Sequence, residues 1–95
     1  MAARGWLSSD EVTTNTAIKS SSGDFGGVIV LTDGTYDATI IIYDNTSAAA
    51  PKLFEEKVAG GDNYGGMIGP GPVAFKTGLY ASVDGTGASC IVYYR

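Results

Sequence analysis

Histidine is missing from this chain, and cysteine occurs once, as Cys90. Without an imidazole there is no Ser-His or Cys-His pair for nucleophilic catalysis, and zinc sites of the common types lack ligands. One cysteine allows no internal disulfide. Set between Ser89 and Ile91 in a strand-like pattern, Cys90 reads as a small core residue rather than a reactive thiol. Positive charge is scarce: Arg4, Lys19, Lys52, Lys57, Lys76 and Arg95 are scattered against ten Asp and Glu, for a net charge of −4 and a pI of about 4.4. That balance argues against nucleic acid, and no basic amphipathic helix points to a membrane surface. No apolar run approaches a membrane span, and the first six residues lack the hydrophobic core of a secretory signal. An intracellular product without a sorting signal is therefore expected. Leucine occurs only four times, at Leu7, Leu31, Leu53 and Leu79, so strong helix formers are sparse.

What is present favours strands. The 95 residues suit one small domain, 44% apolar, with 14 glycines and six tyrosines. The most informative stretch is 25–43, FGGVIVLTDGTYDATIIIY. Two β-rich runs flank Asp33-Gly34, a strong hairpin signal. A two-residue turn there sets Leu31 opposite Tyr36, Ile29 opposite Ala38, Gly27 opposite Ile40 and Phe25 opposite Ile42, all on one apolar face. Thr32, Val30, Val28 and Gly26 then share the other face with Thr35, Asp37, Thr39 and Ile41.

Around this hairpin the reading is as follows. Residues 1–11 form an N-terminal arm in which Trp6 either closes one end of the core or docks on a neighbouring subunit. Residues 12–95 form a single β-sandwich domain, starting with one strand from Val12 to Ser20. Asp44–Ser47 and the following alanines make a loop, kept out of helix by Pro51. Lys52–Val58 is an edge strand that buries Phe54 and Val58. Residues 59–72 are the longest irregular segment, and Val73–Lys76 is a short strand. A second hairpin spans 79–94 around Asp84-Gly85-Thr86-Gly87, with Leu79, Ala81, Val83, Ala88, Cys90 and Val92 on its apolar face. The fold class expected is all-β: a compact antiparallel sandwich of seven or eight short strands, jelly-roll- or Ig-like, without substantial helix.

Chemistry-bearing candidates are few. Glu55 and Glu56 are adjacent, so in a strand they face opposite ways. Asp33, Asp44 and Asp84 stand at turns, where Asp satisfies backbone donors. Asp62 and Asn63 supply too few oxygens for calcium, and no glycine run opens a phosphate loop. Asn45-Thr46-Ser47 fits the glycosylation pattern but reads as a turn. No catalytic, cofactor-binding or metal residue is assigned, and no enzyme is expected. The tyrosines remain. They suit a sugar-stacking platform or, with more support, a subunit interface.

The segments TIIIYDNTSA at 39–48, PKLFEEKV at 51–58 and GPVAFKTGLYASVDGTGASCIVYYR at 71–95 resemble small virion-associated proteins of tailed bacteriophages. In that group a strand ending in Tyr-Asp runs into a small-residue loop. A Phe-x-x-Gly-Leu-Tyr segment, here Phe75–Tyr80, then leads to a Gly-Thr-Gly hairpin and a final Val-Tyr-Tyr strand. The likeness covers the C-terminal two-thirds. It implies a β-sandwich that assembles as a homo-oligomer, often a trimer, on a particle, as capsid decoration (cement), head fibre or tail component. The function expected is thus a structural virion protein on the capsid surface, made in the host cytoplasm, whose partners are itself and the major capsid protein or another virion protein. A carbohydrate-binding module is the alternative. Trp6, Leu7, Tyr64, Tyr80, Tyr93 and Tyr94 are the interface candidates.

Overall fold

The computed structural model describes residues 6–62 and 64–95, and for Tyr64 and 66–72 the backbone alone. Eight strands run β1 (Leu7–Val12), β2 (Thr16–Lys19), β3 (Gly23–Leu31), β4 (Ala38–Tyr43), β5 (Lys52–Val58), β6 (Tyr64–Phe75), β7 (Leu79–Asp84) and β8 (Ser89–Tyr94), with one 3₁₀ turn at Gly60–Asp62. They form two antiparallel four-stranded sheets, ordered β1-β8-β3-β6 and β2-β7-β4-β5. That pair of orders is the eight-stranded jelly roll, two Greek keys wrapped into a sandwich. The core lies between the sheets. Phe25, Val28, Val30, Cys90, Val92 and Val12 from the first sheet meet Ile40, Ile42, Ala38, Leu79, Ala81 and Val58 from the second, all buried. The all-β sandwich expected from composition is the fold observed.

Several local expectations are corrected. Neither Asp-Gly turn makes a hairpin. β3 and β4 lie in different sheets, as do β7 and β8, and each turn carries the chain across the sandwich. Period-two alternation states which residues face the core, and strands facing each other across a core satisfy it as well as strands lying side by side. At the first turn the Asp33 carboxylate accepts the N–H groups of Thr35 (2.8 Å) and Tyr36 (2.9 Å), an Asx arrangement in place of a tight hairpin. Where a Cβ on Gly87 (φ +72°) would stand, the Asp33 side chain lies 2.6 Å away, so the two crossing loops interlock only with glycine there.

The inward face of β4 is the expected one, as are those of β7 and β8. That of β3 is half wrong. Register shifts between Phe25 and Gly27 in both of its pairings, a β-bulge that moves every later residue to the opposite face. Phe25, Val28 and Val30 therefore point inward, and Ile29 and Leu31 point out. The strand expected over Val12–Ser20 is two strands, broken at Thr13–Asn15 where the chain crosses between sheets. Leu7–Glu11, assigned to the arm, belongs to β1 and pairs with β8. The Ser9 hydroxyl takes the Val92 N–H at 2.9 Å where that ladder bulges. Most of the segment expected to be irregular at 59–72 is β6, whose glycines and prolines an edge strand tolerates. β5 is an edge strand with Val58 buried and Phe54 against the core, as expected.

Candidate functional site

Two of the carboxylates that the sequence offers for chemistry, Asp33 and Asp44, are occupied in holding loops. Asp44, 8% exposed, is the clearest. Its carboxylate accepts N–H groups from Lys76 (3.0 Å), Thr77 (2.9 Å) and Gly78 (3.4 Å), tying the β6–β7 loop to the end of β4. These donors, Thr77 first, hold its pKa below the ordinary carboxylate value. The expectation that Asp44 satisfies backbone donors is met, but the donors are distant in sequence rather than local. Asp33 is lowered likewise by Tyr36 and Thr35. Asp37 takes the Gly60 N–H at 3.1 Å and pairs with Lys57 at 3.5 Å. Among the described residues no group of three or more His, Cys, Asp or Glu is placed to hold a metal. Cys90 is buried, and burial pushes its thiol up to about 11.

The surfaces that remain are the two outer sheet faces. On the β1-β8-β3-β6 sheet, Ile29 stands directly opposite Ile91 in the centre. Leu31 and Tyr93 extend the same face along β3 and β8, all four half-buried. At its end lies Trp6, 39% exposed, whose ring sits across the bulge glycine. A Cβ on Gly26 would meet the indole at 2.8 Å. The Arg95 guanidinium covers the ring at 4.1 Å and reaches Asp24 at 3.5 Å. A bare backbone below and a cation above thus fix the indole on the sheet.

The outer face of the β2-β7-β4-β5 sheet differs. Its central Ile41 has Ser82 and Glu55 as cross-strand neighbours, and Thr39 stands between Asp84 and Lys57. Tyr43 and Tyr80 are paired there, their ring centroids 6.4 Å apart and tilted by 57°.

The six interface candidates do not form one patch. Trp6 and Tyr93 lie on the first sheet's outer face. Leu7, 55% exposed, and Tyr94 face each other in register at its edge, with Tyr94 packed against the core. Tyr80 is on the opposite side of the molecule, and the side chain of Tyr64 is outside the described residues. The candidates read from the sequence missed Ile29, Leu31, Ile91 and Gly26. A signal for them exists: FGGVIVL and CIVYY are apolar at both parities, the pattern of strands covered on both faces. Comparison with protein-family models, curated proteins and solved structures finds no match for this chain.

Proposed function

We propose that this chain is a structural virion protein of tailed-phage type, most consistent with capsid decoration, in which copies associate through the outer face of the β1-β8-β3-β6 sheet. The observation that carries the reading is the Ile29–Ile91 pair at the centre of that face, continued by Leu31 and Tyr93 and ended by Trp6. A single-domain protein normally alternates polar residues on an outer sheet face, and an apolar one is covered by a partner. Sequence resemblance supplies the virion setting, and jelly rolls serve capsid and lectin proteins alike, so the fold does not choose between them. Three copies around this contact, seated on the major capsid protein or another virion protein, is the favoured arrangement.

Tyr43 and Tyr80 support the carbohydrate alternative, because they lie together on the more polar face. Their 57° tilt counts against it, since a sugar ring stacks best on a single aromatic plane. The test is twofold. Particles of the phage that encodes the chain, purified through a density gradient, are expected to retain it in stoichiometric amount. Glycan arrays are expected to show no saturable binding by the free protein. Absence from particles together with glycan binding reverses the assignment.

A further inference from the structure

Each sheet leaves two edges, and three of the four carry devices that discourage a further strand. β1 bulges between Ser8 and Glu11, with Asp10 in the left-handed region (φ 59°). β2 is four residues long and shifts register between Ala17 and Lys19. β5 is lined with Lys52, Glu55 and Lys57, and its Glu56 stands on the inward side opposite Ile40. The fourth edge has none of these over residues 64–68. There β6 pairs with β3 through five consecutive positions, Leu31↔Tyr64 to Gly27↔Ile68, without a shift. That stretch, YGGMI, holds no charge and no proline, and Pro70 and Pro72 close it off on one side.

We propose that the 64–68 edge of β6 pairs antiparallel with the same edge of a second copy, joining two β1-β8-β3-β6 sheets into one continuous sheet about a two-fold axis. A second copy is the occupant because the stretch suits its own reverse. With Gly66 on the dyad, Gly65 stands opposite Met67 and Tyr64 opposite Ile68, so the pairing sets no charge against another and the dyad falls on a glycine. The pairing also runs the apolar outer face from one copy into the next, since Gly66 lies directly beside Ile29. The inference rests on the self-association proposed above but uses a different surface.

Hydrogen exchange on the wild-type chain reads it directly. Amides of 64–68 that point away from β3 are expected to be protected at high protein concentration and to lose protection on dilution. Gly66→Lys, which sets two like charges at the dyad, is expected to halve the mass measured by light scattering while leaving the melting transition in place. Gly66→Cys is expected to give a disulfide-linked dimer under mild oxidation. Exchange at 64–68 that is fast at every concentration overturns the edge pairing, even if the protein remains an oligomer through its sheet face. Protection gained only on the virion also overturns it, assigning the edge to a strand of another virion protein. If Gly66→Lys does not fold, the wild-type exchange pattern decides alone.

Discussion

Ile29 and Ile41 hold comparable places, each on the third strand of its sheet and each pointing away from the core. Their neighbours differ. Ile29 lies between Ile91 and Gly66, whereas Ile41 lies between Ser82 and Glu55. Inside the sandwich both sheets present fully buried aliphatic side chains, Val28, Val30 and Val92 from one and Ile40 and Ile42 from the other. The asymmetry is therefore confined to the outer faces, where it adds nothing to the core. An isolated domain gains no stability from leaving one outer face apolar, which is why the difference points to assembly rather than to folding.

The largest effect expected separates inside from outside on one strand. Ile40→Asp places an unpaired charge in the core, at a cost above about 4 kcal/mol, and should abolish soluble expression. Thr39→Asp, one residue away on the outer face, should cost less than about 1 kcal/mol by thermal melting. Comparable losses at both sites would mean that β4 is inverted.

Next comes the latch that ties the ends of the sandwich. Asp44→Ala leaves three backbone N–H groups without their acceptor, that of Gly78 buried and those of Lys76 and Thr77 partly so, and a loss of about 1–3 kcal/mol is expected in urea unfolding. Because the folded pKa of Asp44 is lowered, its contribution is complete above the ordinary carboxylate pKa and is lost as pH falls through the folded value. The stability gap between wild type and Asp44→Ala should thus narrow in acid, below about pH 4, and stay constant from there to neutrality.

A smaller effect is expected from Trp6→Ala. Its ring is partly exposed and held by Gly26 and Arg95, so about 1–2 kcal/mol is at stake, read as a drop of roughly 4–15 °C in Tm. An unchanged Tm would assign the indole to a partner rather than to its own sheet. The smallest signal is chemical. Cys90, buried and with its thiol raised to about 11, should stay unmodified by thiol reagents at neutral pH until the chain unfolds.

Much of the fold was legible because each level of the sequence agreed. Leu79 and Ala81 alternate with Tyr80 and Ser82, and that alone places them inward. What alternation does not encode is the neighbouring strand, so both turns read as hairpins when they are crossings. The bulge at Phe25–Gly27 was illegible for a related reason. Val28 and Val30 are as apolar as Ile29 and Leu31, so a one-residue slip costs the pattern nothing. That ambiguity is itself the signature of the outer face. Of the candidate site, Trp6 and Tyr93 stood out as large aromatics. Gly26, which seats the indole, has meaning only once β1 is known to lie beside β8.

The central claim is that the two outer faces differ in what they bind, and matched substitutions at comparable positions test it most directly. Light scattering on wild type, Ile29→Lys and Ile41→Lys at the same micromolar concentration compares them. The wild type is expected to have a mass of several chains, Ile41→Lys the same mass, and Ile29→Lys a smaller one, with all three melting as folded proteins. A wild type of 9.8 kDa, or a loss of mass in Ile41→Lys but not in Ile29→Lys, would contradict the account.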